Sequence, residues 1–369
     1  MKLPPLTLGI EEEYQIIDPD SRELKSFIQE FLEQGRLVLQ DQIKGEFLQS
    51  QVEVGSHICH DVQEVRAEVI RLRRSICELA AGKGVQVAAA STHPFSRWSS
   101  QEINIGDRYT KLASDMAELA RRMLIFGMHV HVGIDDKDLL IDVLNQARYF
   151  LPHLLALSTS SPFWQGRDTG LKSYRTVIFE SLPRTGIPPL LKSWADYNGF
   201  IDTLIGTGCI DEPTKIWWDV RPHPKFPTVE FRVCDLATKV DEAVCLAAVI
   251  QAIVAKLIKL RFNNQSWRHY RHHLITENKW RAVRYGIAGQ LIDFGKREEV
   301  AVPLLVEEIL ELVDDVVDEL GSRREVEYLN TILEQGTSAD RQLAVYRRTG
   351  DLKAVVDHLV EETKEGCFG

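Results

Sequence analysis

Ile216–Asp235, IWWDVRPHPKFPTVEFRVCD, is the stretch from which the fold can be read. Its last part, Thr228–Asp235, is rich in β-formers and alternates, so Glu230 and Arg232 fall on one face of a strand and Val229, Phe231 and Val233 on the other. A carboxylate and a guanidinium therefore stand side by side on a sheet. Ile216–Val220 is also strand-like, and the prolines at 222, 224 and 227 force an extended connection between the two segments. The pattern predicts a hairpin with a long, stiff turn. Taken alone, Glu230 and Arg232 fit equally an ordinary ion pair on the solvated face of an antiparallel sheet. Recurrence is what gives them weight.

Working outward, the same alternation appears three more times. Leu6–Ile17, LTLGIEEEYQII, reads as a strand with Glu11 and Glu13 on one face and Glu12 on the other, beside Ile10 and Tyr14. Glu46–Gly55, EFLQSQVEVG, puts Gln51 and Glu53 on one side and Val52 and Val54 on the other. Ile125–Ile134, IFGMHVHVGI, aligns His129 and His131, with Met128, Val130 and Val132 behind them. Clustered glutamates in a strand repel one another and have poor β-propensity, a penalty that a bound cation turns into ligation.

The segments between supply helices and loops. Asp61–Ala81 is amphipathic, with Val62, Val65, Val69, Leu72, Ile76 and Leu79 at spacings of three and four. Val85–Ala90 is a short apolar strand, followed by the polar loop STHPFSRW. Helices are expected over 111–124, 137–159, 192–207 and 237–262, the last packing behind the sheet. The connector from residue 160 to 189 is rich in Gly, Pro, Ser and Arg, and its Arg167, Arg175 and Arg184 can bind carboxylate or phosphate. Thr276–Gly286, TENKWRAVRYG, adds Lys279, Arg281 and Arg284, a charge density suited to polyphosphate. From Pro303 onward the chain becomes acidic amphipathic helices whose expected role is packing or a subunit contact.

With 27% charged residues and a net charge of −10, the chain lacks the basic face that nucleic acid or anionic membranes require. Six scattered cysteines, none in a CxxC pair, fit a reducing, cytoplasmic setting. The opening MKLPPLTLGIEEEY has no apolar signal core, and no transmembrane helix is expected. With no repeat and no clean linker, residues 1–369 read as a single catalytic domain in which 300–369 form an acidic helical extension packed on it.

Four strands thus present carboxylates, imidazoles and an arginine at i and i+2 on one face, with apolar residues on the other. The expected fold class is α+β, a largely antiparallel sheet with helices on its outer face. Carboxylate oxygens with a histidine suit hard divalent cations, and arginines near the same face make a metal-nucleotide the natural guest. Phosphoryl transfer needs that combination. Since no GxxxxGK[ST] loop is present, the nucleotide would be held by the sheet itself.

GIEEEYQ, QVEVGSHIC, STHPFSRW, GMHVHVGI, SYRTVIFESLPRTGIPP, WWDVRPHPKFPTVEFRVCD and ENKWRAVRYG, in this order over residues 6–290, resemble the YbdK-type carboxylate-amine ligases, also called glutamate-cysteine ligase type 2. The resemblance implies a curved, funnel-like sheet related to the glutamine synthetase and guanidino kinase catalytic domains, and the use of ATP with Mg2+ or Mn2+. Carried over residue by residue, it implies metal ligation by Glu11, Glu13, Glu53, His129 and Glu230, with Glu230 and Arg232 as the catalytic pair. Beyond what the resemblance carries, nucleotide binding is expected of Arg232, Arg281 and Arg284, and substrate binding of Arg175, Arg221 and His131. One more carboxylate of the larger glutamate-cysteine ligases has only Asp219 and Glu180 as candidates here.

The function expected is therefore an ATP-dependent carboxylate-amine ligase, glutamate-cysteine ligase-like, working through an acyl phosphate. Its partners are small molecules, a glutamate-like acid and cysteine or another amine, a pair that some related members use only weakly. Neither nucleic acid nor membrane is expected, and the apolar helices suggest a homodimer. Two other classes fit parts of the pattern: a metal-dependent amide hydrolase, from the His129/His131 pair, and a non-catalytic nucleotide-binding module.

Overall fold

The computed structural model describes residues 3–368 and builds its centre from the alternating segments. The main sheet has seven strands: β1 (Leu8–Ile17), β2 (Ile43–Gly45), β3 (Gln51–Gly55), β4 (Gln86–Ala88), β5 (Met128–Gly133), β6 (Val220–Pro222) and β7 (Thr228–Phe231). All neighbours run antiparallel, in the order β6-β7-β5-β1-β3-β2, with β4 paired to the far end of β1. Register decides function here, because residues directly opposite share a face. Glu11 stands between His129 and Gly55, Glu13 faces Glu53, Glu53 faces Lys44, and Glu230 stands between His131 and Arg221.

The other face is apolar and covered. Ile10, Tyr14, Val52, Val54, Val130, Val229 and Phe231 are buried there; the helices Val62–Gly82 and Val240–Phe262 pack on β1, the latter also on β5, and the helix Lys137–Ala147 packs on β6 and β7. The first of these begins where Asp61 accepts hydrogen bonds from the amides of Gln63 and Glu64, and it buries Val62, Val65, Val69, Leu72 and Ile76. Glu12, alone among the three glutamates, points into this layer, where Arg73 pairs with it and Tyr14 donates to it at 2.5 Å. Arg73 is fully buried and spends its other donors on the carbonyls of Ala237 and Thr238. The helix Val240–Phe262 is apolar and long enough to cross a membrane, with a mean hydropathy of 2.1, yet 83% of that window is buried inside the fold.

Three expectations are corrected. The hairpin uses Val220–Pro222 rather than Ile216–Val220, because Trp217–Trp218 pairs instead with Thr185–Gly186 in parallel. Its turn is tied by His223, whose Nδ1 accepts from the amides of Lys225 and Phe226. The helix expected over 137–159 is broken at Arg148–Phe150 by a 3-10 turn, and Pro152 opens the second half. Residues 46–50 form a turn rather than the start of β3, which matters below.

After the hairpin Gln290–Asp293/Glu298–Ala301, the chain ends in the helices Val302–Val317, Arg323–Gln335, Ser338–Thr349 and Leu352–Lys364. The first two pack on Val240–Phe262, the last on β4 and Val62–Gly82. Their buried residues belong to the same apolar core as the strands.

Candidate active site

The polar face of the sheet floors a cavity of about 640 Å³, walled by the helix Ile28–Leu39, residues 104–112, the connector around Arg175 and Phe179, and the hairpin turn. Glu11, Glu13, Glu53, His129, Arg175, Arg221 and Arg232 all line it. Buried Glu230 and His131 complete the same rows of the sheet.

Two groups of ligand atoms stand out. In the first, oxygens of Glu11 and Glu230 and a ring nitrogen of His131 lie within 4.8 Å of one another. His129 Nδ1 is 3.2 Å from Glu11, and the buried Nε2 of His131 has no hydrogen-bond partner among the described residues. Burial and Arg232 push His129 down to about 4, so its ring is neutral at pH 7. Burial would raise Glu230, but Arg232 and Arg221 outweigh it and hold the carboxylate far below the usual range. Arg221 does this bidentately at 2.7 and 3.1 Å, Arg232 through one Nη at 2.6 Å.

The second group is Glu13, Glu53 and Glu46. Burial and Glu53 push Glu13 up to about 7, although it accepts from Gln51 at 3.0 Å and from the Gly127 amide at 2.7 Å. Glu53 is raised by burial and Glu11, and Glu46 well above its ordinary value by burial and Glu53. Lys44, 3.4 Å from Glu53, is the nearest cation. Buried carboxylates that oppose one another's ionisation are what a divalent ion relieves, and the oxygen-rich donor set suits Mg2+ or Mn2+. The site's residues therefore fit a metal.

Above the metal-type ligands sit guanidinium groups. Arg232 keeps its buried Nε without a partner among the described residues, and it lies over the Phe179 ring. Arg175 stacks on the same ring and donates to the Arg232 carbonyl at 3.2 Å. Arg175 lies 3.9 Å from fully buried Asp235, which also accepts from Ser160, Ser161 and Ser173. A Cβ on Gly127 would come 2.8 Å from Arg175 Nη2 and 3.3 Å from His129 Nε2, so glycine leaves the room both need.

Some residues singled out in the sequence lie elsewhere. Arg281 is tied to Glu277 and Glu299, Arg284 to the Gly170 carbonyl, and neither lines the cavity. Arg221 lines it but spends donors on Glu230, Thr214 and Ile216, leaving it to orient Glu230. Asp219 and Glu180 both hold Lys279, each at 2.6 Å, away from the cavity. The loop STHPFSRW is structural: buried His93 accepts from the amides of Phe95 and Ser96, and its Nε2 meets the Arg22 carbonyl at 2.9 Å.

Glu46 is the site residue that sequence reasoning missed. In a continuous strand it would lie on the face opposite Glu53; the turn over 46–50 brings it round. Arg36, Arg108 and Tyr109, which wall the cavity from outside the sheet, carried no signal in the alternation.

Comparison with known proteins places this geometry. The profile of Glutamate-cysteine ligase family 2 matches residues 7–358. A protein of Herpetosiphon aurantiacus named "Putative glutamate--cysteine ligase 2" is 57% identical over 362 residues, covering 98% of this chain and 94% of its own length. One of the same name from Solibacter usitatus is 51% identical over 366 residues, 99% of this chain and 95% of that one. Among solved structures, a glutamate-cysteine ligase from Francisella tularensis in complex with AMP superposes with a TM-score of 0.74 at 13% identity, over 100% of this chain and 90% of that one, a likeness of fold. Matched along almost its whole length, the chain belongs to glutamate-cysteine ligase family 2.

Proposed function

We propose that the protein is an ATP-dependent carboxylate-amine ligase, taking glutamate or a related acid and cysteine or another amine, by way of an acyl phosphate. The observation that carries this reading is the convergence, on one sheet face, of two carboxylate-rich clusters with Arg232 between them. Glu13, Glu53 and Glu46 would hold one divalent cation, and Glu11, Glu230 and a histidine of the β5 pair another. When bound, such ions neutralise phosphate charge and stabilise a transferring phosphoryl group.

The chain's own groups do the rest. Arg232, anchored to Glu230 with its Nε unpaired, holds oxygens of the phosphoryl group as charge develops. The acid's carboxylate attacks the γ-phosphorus and ADP departs; the amine then displaces phosphate from the acyl carbon. Arg175, half committed to Asp235 and the Arg232 carbonyl, is placed to receive a substrate carboxylate beside Phe179. His129, neutral at working pH, offers a nitrogen lone pair rather than a charge.

Glu230→Ala tests the assignment: ATP turnover should be abolished, with the far-ultraviolet circular dichroism of the wild type retained. Turnover at the wild-type rate would remove Glu230 from the site.

A further inference from the structure

Outside the cleft, the residue least reconciled with its surroundings is Arg148. It sits in the 3-10 turn Arg148–Phe150 that interrupts the helical run, is only 1% exposed, and has no hydrogen-bond partner for Nε or Nη1 among the described residues. Burial pushes it down to about 10, and no carboxylate among the described residues pairs with it. A buried, uncompensated guanidinium is a costly thing for a fold to keep.

Arg148 opens onto a second cavity, of about 310 Å³, walled otherwise by Ile187, Pro189, Leu190, Tyr270, Arg271 and His272. None of these residues lines the catalytic cleft. Arg271 is the N-cap and His272 the first residue of the 14-residue helix His272–Tyr285, and among the described residues no side chain caps that end. Its first amides and the positive end of its dipole are therefore left for water or an anion. Cations, a helix N-terminus and an apolar wall meet in a space the size of a small ligand.

We propose that this cavity is a second anion site, taking the phosphate or carboxylate group of a small molecule on Arg148, Arg271 and the start of the helix His272–Tyr285. The ligand's hydrocarbon or ring portion lies against Ile187, Pro189 and Leu190. The site is joined to the cleft by a short line of contacts: the same helix carries Lys279, which holds Asp219, whose carbonyl accepts from the Arg232 amide at 2.7 Å.

Isothermal titration calorimetry on the full chain, with inorganic phosphate and separately with butyrate, tells the two headgroups apart. One of them should bind one to one, with Arg271→Ala weakening it by about tenfold or more, the loss of a charge-assisted contact, and Glu53→Gln in the cleft leaving it unchanged. Arg148→Met should melt at or above the wild type in anion-free buffer and lose the rise in melting temperature that the anion gives. Binding of neither probe, or equal affinity in Arg271→Ala, overturns the proposal. So does an Arg148→Met protein that still gains stability from the anion; if that variant does not fold, Arg271→Ala decides alone.

Discussion

At the scale of single residues, the site is a balance of charges that do not want to be together. Glu13 is raised from 4.5 to about 7, so the folded protein binds its proton more tightly than the unfolded chain does. Its contribution is present below the unfolded value and is lost as pH rises through about 7. Without metal, the stability of Glu13→Gln relative to wild type should therefore grow from pH 4.5 to 7 and then level off; Mg2+ should erase the trend by stabilising only the wild-type carboxylate. Melting curves across pH with and without Mg2+ check this, and a gap that does not change with pH contradicts it. Gly127 is the other sensitive position. Gly127→Ala should fold but lower turnover by about 100-fold, because displacing Arg175 and His129 by a fraction of an ångström disturbs two groups at once; a kinetic assay at saturating ATP reads it.

At the scale of elements, the three consecutive glutamates show how one strand serves two masters. Glu11 and Glu13 face the cleft, while Glu12 faces the helices and ties β1 to Val62–Gly82 through Arg73. Removing one partner leaves a buried charge, so Arg73→Ala should cost about 3–5 kcal/mol in denaturant unfolding, whereas Glu12→Leu/Arg73→Met should return close to wild type. Strand alternation made this division readable in advance: the i, i+2 pairs of β1, β3, β5 and β7 all face the side that the sequence pattern assigns them. Alternation fails where the chain stops being a strand. Glu46 is hidden by parity until the turn over 46–50 is known, and Trp217–Trp218 reads as β7's partner until Thr185–Gly186 takes it. The arginines of TENKWRAVRYG illustrate a further limit. Charge density was visible, but the helix His272–Tyr285 points Arg281 and Arg284 at Glu299 and Gly170 instead of the cleft.

At the scale of the whole molecule, seven antiparallel strands place an acidic, imidazole-lined face toward a cavity and hand the apolar face to helices, including one apolar enough to span a membrane but used as the core. The C-terminal helices close over that core rather than over the cleft, so their acidic faces do not contribute to the site. Family membership and the charged face of the sheet are what the proposed ATP-driven ligation rests on. The most direct test is phosphate release from ATP with Mg2+, using glutamate and a panel of amines that includes cysteine, with mass detection of products. Phosphate should be released one for one with a single condensed product, dependent on metal and absent in Glu230→Ala. Condensed product formed without ATP, or amide cleavage that needs metal but no nucleotide, would contradict ATP-driven ligation.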